Sequence, residues 1–263
     1  MDPTPLAQWT EHADVNGILG VLLDETRQIL GDRLVGLYLY GSLVTGDFDR
    51  ESSDLDLLAV TSSDIDRDEF ARLDKMHQDF DNRYPQWKGR LEIAYVSAGA
   101  LKTYKSRASN IAIISPGEPF HVKEAGKDWL INWYIVREKG IALFGPPPGA
   151  IIDPVTREEF LRHVADQTRE WRAWIVHSEY GHTRPYQAYA ILTMCRALYA
   201  LSNGEQASKK QAALWAARAF PEWSTLINNA LAWRTAWRDE DVDDEATFPE
   251  TVRFVHFAID QIA

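Results

Sequence analysis

The chain has 263 residues, 45% of them hydrophobic and 25% charged, enough for one large core or two modest ones. Its 28 basic against 39 acidic side chains give a formal charge of -11, which weighs against a surface that grips nucleic-acid phosphates and favours a cationic partner. The single cysteine, Cys195, excludes an intramolecular disulfide, and no basic leader or membrane-length apolar run occurs, so a cytoplasmic protein without a membrane span is expected.

From Val15 the apolar residues Ile18, Leu22 and Ile29, with Leu19 and Leu23 beside them, recur at helical spacing, and Gly31 closes the segment. Leu34 to Tyr40 reads as a buried strand stopped by Gly41 and Ser42. Ser53 to Val60 reads as a second strand and Leu91 to Val96 as a third, with helical sequence between them from Asp66 to about Tyr84. This alternation makes the N-terminal half α/β, with a small mixed sheet. The run Phe144, Gly145, Pro146, Pro147, Pro148, Gly149 can neither continue a helix nor donate normally to a sheet, and predicts a connection between domains 1–150 and 151–263.

Beyond it Phe160, Val164, Trp171, Trp174 and Ile175 keep helical period. Ala188 to Leu201 forms a further helix ended by Asn203 and Gly204, Ser208 reads as an N-cap, and Pro221 and Pro249 fit first helical turns. The C-terminal half is therefore a helical bundle, and the whole chain is α+β. Trp171, Trp174, Trp215, Trp223, Trp233 and Trp237 are expected mostly in the bundle core, and the acidic run Asp239 to Glu245 in a solvated loop.

The chemistry-bearing stretch is Gly41 and Ser42 followed by Asp54, Leu55, Asp56. Strand alternation sends Asp54 and Asp56 to one face and Leu55 and Leu57 to the other. Two unpaired carboxylates side by side repel, and a divalent cation is the natural compensation; oxygen ligands and phosphate chemistry point to Mg2+. Glu92 lies on the third strand, where a carboxylate faces an edge, solvent or a metal; beside Asp56 it would accept a hydroxyl proton or complete a metal's coordination. Gly41 permits a tight turn, and Ser42 offers an amide and a hydroxyl to phosphate oxygens.

This pattern of Gly-Ser, Asp-x-Asp and a third acid, over roughly residues 34 to 96, resembles the DNA polymerase β-like nucleotidyltransferase superfamily. In the C-terminal half, Ile191 to Arg196, Tyr199 to Gly204, and Ser208, Lys209 with Trp215 resemble the helical domain of aminoglycoside 3''- and 9-adenylyltransferases. The resemblance implies Mg2+-dependent transfer of AMP from ATP to a hydroxyl of a small cationic molecule, an aminoglycoside or aminocyclitol of the spectinomycin and streptomycin class, by a monomer.

It further implies that Asp54, Asp56 and Glu92 hold the metal, two ions in that family, with Glu92 as catalytic base. Ser42 and Ser53 match the nucleotide-loop serines, Lys209 the phosphate lysine, Arg196 a nucleotide-binding arginine, and Trp233 a nucleotide-contacting tyrosine. A first-turn lysine such as Lys209 is otherwise unfavoured by the helix dipole. Glu124, Asp128 and Glu179 are acidic residues available to a cationic acceptor. Two other readings remain open: a nucleotidyltransferase acting on a protein or RNA, and a non-catalytic, antitoxin-like nucleotide-binding module. The first calls for a basic stripe, and Lys102, Lys105, Arg107 and Arg157, Arg162, Arg169 are interrupted by acids; the second calls for loss of a metal acid, and all three are present.

Overall fold

The computed structural model describes residues 8–177, 183–235 and 245–262. Glu179, Trp237 and all of the acidic run before Glu245 lie outside the described residues. Two compact units emerge, Met1–Phe48 with Ser53–Pro154, and Asp49–Ser52 with Val155–Ala263.

The first unit runs α1 (Ala13–Leu30), β1 (Leu34–Leu39), α2 (Ser42–Thr45), β2 (Leu55–Thr61), α3 (Arg67–Arg83), β3 (Leu91–Ser97), α4 (Ala98–Thr103), β4 (Ser109–Ser115), β5 (Glu118–Ala125), α5 (Leu130–Lys139) and β6 (Ile141–Phe144). The strands form one mixed sheet in the order β5-β4-β3-β2-β1-β6. Only β2 and β3 are parallel, because α3 carries the chain back across the sheet between them; the remaining neighbours are antiparallel. A capping box opens α3: the Asp66 carboxylate accepts the Glu69 amide at 2.9 Å, and the Glu69 carboxylate accepts the Asp66 amide at 3.1 Å. Leu37, Leu39, Leu55, Leu57, Ala59, Ile93 and Tyr95 of the central strands pack with Leu19, Leu22, Leu73 and Phe80 of α1 and α3. Alternation therefore turns Tyr38, Asp56, Leu58, Glu92 and Ala94 to the opposite face.

The sheet is larger than the sequence reading gave. Pro116 and Gly117, between the apolar runs of β4 and β5, were the missed hairpin signal. The second strand starts at Leu55 rather than Ser53. The proline-rich run lies shortly before the change of unit at Pro154 and Val155, and its backbone is anchored on the sheet. A β-carbon on Gly145 would lie 2.3 Å from the Val35 carbonyl oxygen, and the Tyr38 hydroxyl donates to the Pro146 carbonyl at 2.9 Å, so this backbone is seated against β1.

Within this core His77 is 2% exposed, its Nε2 3.0 Å from the Tyr95 hydroxyl and its ring edge-on to Phe120. Burial pushes its pKa down to about 3, so the folded protein keeps it neutral. An unfolded histidine binds its proton near pH 6.5, so the folded state loses stability as pH falls from there towards 3, by up to about 1.4 kcal/mol per pH unit. Urea unfolding between pH 7 and pH 5 is expected to show a steeper loss for the wild type than for His77→Gln. Parallel pH dependences of the two proteins would remove His77 as the cause.

The second unit contains α6 (Arg157–His177), α7 (Arg184–Asn203), α8 (Lys209–Ala219), α9 (Ser224–Thr235) and α10 (Phe248–Ile262). Helix α7 is central, packed by the other four, and is accordingly apolar on most of its circumference. Gly204, in the left-handed region at φ 79, ends it, and Ser208 caps α8 by accepting the Gln211 amide at 3.1 Å. Pro221 opens a short 3-10 turn ahead of α9, and Pro249 is the second residue of α10. Trp233 belongs to the bundle core, with Trp171, Trp215 and Trp223 partly buried against it. Trp174 is 38% exposed, edge-on to Trp171 and tilted against Tyr186, in a surface aromatic cluster. No helix of the described residues is long and apolar enough to cross a membrane.

Candidate active site

The parallel register of β2 and β3 sets Asp56 directly beside Glu92. Neighbouring strands lie about 4.8 Å apart, so the two side chains leave the same face of the sheet as close neighbours. Both are half-buried, whereas Leu55, Leu57, Leu91 and Ile93 around them are buried in the core. Asp54, also half-buried, immediately precedes β2, whose first amide, that of Leu55, donates to the Arg90 carbonyl at 2.9 Å. Strand β1 runs antiparallel to β2 with Leu39 opposite Leu57, which brings Tyr40 to Asp56; the Tyr40 amide donates to the Asp56 carbonyl at 3.0 Å.

The Tyr40 side chain, 4% exposed, donates its hydroxyl to Glu92 Oε1 at 2.8 Å. Burial above all, then the negative charges of Glu92 and Asp56 and the bond to Glu92, hold its pKa well above the usual tyrosine range. It is therefore a fixed proton donor to the carboxylate.

Gly41 follows at φ 71, a region that favours glycine. A β-carbon there would fall 1.7 Å from Asp56 Oδ2 and 2.4 Å from its Cγ, so only glycine lets the turn lie against the acid. Ser42 begins the four-residue helix α2, with the Thr45 amide and hydroxyl both directed to the Gly41 carbonyl. Its hydroxyl oxygen is buried with no hydrogen-bond partner among the described residues. An orphan hydroxyl on a first helical turn, where the leading amides have no intrahelical acceptor, is chemistry suited to an anion.

Ser53 is 3% exposed, and its carbonyl accepts Arg90 Nε at 3.0 Å and a second bond from Arg90 Nη2. Arg90 also donates to the Gln86 carbonyl and stacks 4.6 Å over the Trp87 ring. This buried guanidinium fixes the backbone just ahead of Asp54. Sequence reasoning missed both Arg90 and Tyr40. Neither carries a local signal, because the partner of Tyr40 lies 52 residues away and those of Arg90 are backbone carbonyls.

Gly41, Ser42, Asp56 and Glu92 thus meet at one end of the sheet, with Ser53 and Asp54 at the start of β2. No three His, Cys, Asp or Glu side chains among the described residues are arranged to hold a metal ion by themselves. In the helical unit, Arg196 is half-buried on α7. Lys209 is the first residue of α8, its Nζ 5.9 Å from the Tyr189 ring. Trp233 is 9% exposed with the Arg184 guanidinium 5.3 Å over its indole, so little of it remains for a ligand. Asp128 accepts the Gly126 amide at 2.7 Å, and Glu124 lies exposed on the sheet's edge strand β5.

Residues 21–105 match the family model of the nucleotidyltransferase domain, and residues 150–261 that of the aminoglycoside adenylyltransferase C-terminal domain. No curated protein matches the sequence. Among ten matching solved chains is the spectinomycin adenyltransferase AAD(9) from Enterococcus faecialis, crystallised with ATP and spectinomycin. It is 17% identical, with a TM-score of 0.71 over 93% of this chain and 97% of its own, a likeness that bears on the fold. With these two domains in this order, the chain is an aminoglycoside-adenylyltransferase-like nucleotidyltransferase, and an enzyme.

Proposed function

We propose that the enzyme transfers AMP from ATP to a hydroxyl of a small cationic molecule of the aminoglycoside or aminocyclitol class. The observation that carries this reading is the registered pair Asp56 and Glu92 beside a Gly-Ser turn whose serine hydroxyl has no hydrogen-bond partner among the described residues. The ATP and spectinomycin in crystals of the Enterococcus faecialis enzyme support the choice of donor and acceptor class. The net charge of -11 favours a cationic acceptor.

The donor set fits Mg2+, because only carboxylate oxygens are offered. Magnesium is commonly held by one or two carboxylates together with substrate phosphates rather than by an all-protein cage. Asp54 and Asp56, with Glu92 adjoining, would hold it, and the ion would neutralise charge on the triphosphate. Glu92 takes the proton of the acceptor hydroxyl as its oxygen bonds to the α-phosphorus, and the bond from that phosphorus to the bridging oxygen breaks, releasing pyrophosphate. Ser42, its first-turn amides and Ser53 orient the phosphates. Arg196 and Lys209 are assigned to the nucleotide by the same reading, and Trp233 in a minor role.

The test is incubation of the purified protein with Mg2+, ATP and a panel of aminoglycosides and aminocyclitols, read by mass spectrometry. An acceptor heavier by one AMP, with equimolar pyrophosphate, is expected. Label transferred only to total RNA or to protein, or no pyrophosphate at all, would overturn the small-molecule reading.

A further inference from the structure

We propose that Tyr40 is a positioning residue for Glu92, fixing the orientation of its carboxylate toward the acceptor hydroxyl; this rests on the assignment of Glu92 as base. The geometry is specific. The hydroxyl bonds to Oε1 at 2.8 Å, and a carboxylate held at one oxygen by a buried, immobile donor loses much of its freedom to rotate. Tyr40 is itself immobilised, since its ring is buried and its amide donates to the Asp56 carbonyl on β2, the strand beside β3. The next residue, Gly41, packs against the Asp56 carboxylate. The dipeptide Tyr40-Gly41 therefore registers both strand acids against each other, beyond any part its successor Ser42 plays toward phosphate.

Tyr40→Phe removes one oxygen and keeps the ring. Its kcat is expected to fall about ten- to a hundred-fold, as for a reacting group displaced by part of an ångström, with KM for ATP and acceptor within about two-fold. In the Glu92→Gln background the same substitution should cost nothing further, and the two substitutions should shift the urea midpoint non-additively. A Tyr40→Phe enzyme with wild-type kcat, a rise in KM for ATP at unchanged kcat, or additive effects in both measurements would overturn the positioning role. Full activity in Glu92→Gln would instead overturn the assignment of the base, a result separable from the first because it appears without any change at Tyr40.

Discussion

Asp56→Asn is expected to lower AMP transfer by at least about a thousand-fold while the protein stays folded. The substitution keeps the shape of the side chain and removes one formal charge from a position in direct register with Glu92. Because the amide is isosteric with the carboxylate and the position is only half-buried, the fold is expected to survive with a thermal midpoint near that of the wild type. Activity falls because that negative charge is what the reading assigns to binding the divalent cation. Pyrophosphate release measures the first effect and thermal unfolding followed by circular dichroism the second. A variant within ten-fold of wild type would remove Asp56 from the machinery, and an unfolded one would show that the carboxylate is structural.

Gly41→Ala is the second large effect, although it adds a single methyl group. The backbone at φ 71 disfavours any L side chain, at a cost of about 1–3 kcal/mol. The new carbon would also overlap the Asp56 carboxylate, which it would approach to 1.7 Å at Oδ2 and 2.9 Å at Cβ. The acid or the turn must move, and a displacement of about 1 Å in a reacting group is worth roughly a hundred-fold in rate. A fall in kcat of that order, a raised KM for ATP and a modest loss of thermal stability are expected together. Wild-type kinetics in Gly41→Ala would mean that the turn yields freely and that its approach to Asp56 has no consequence for catalysis.

The residues that report this site differ in how openly the sequence displays them. Asp56 and Glu92 stand out because a charged side chain on an otherwise uncharged, largely apolar strand needs an explanation, and Asp54 stands out by its place two residues before Asp56. Gly41 and Ser42 stand out only through their distance from those acids. Tyr40 reads as one more aromatic in a buried strand, and its bond to Glu92 spans 52 residues of sequence, with three strands placed before the two meet. Arg90 is less legible still, since its partners are carbonyls, which every residue has. Trp174 shows the limit of helical period, which gives a face and not what covers that face, since this tryptophan is exposed.

Local chemistry, then, settled the long helices, the Ser208 cap, the Gly204 stop and the acidic pattern, because a cap, a turn glycine or a 3.6-residue period acts within a few residues of itself, whereas the short helices α2, α4 and α5 carried no such period and were not read. The pairing of β4, β5 and β6, the seating of Gly145 on β1, and the neighbourhood of Asp56, Glu92, Tyr40 and Gly41 were decided only by the assembled sheet. Strand register fixes which distant side chains share a face, and it is a property of hydrogen bonding between segments that no single segment contains.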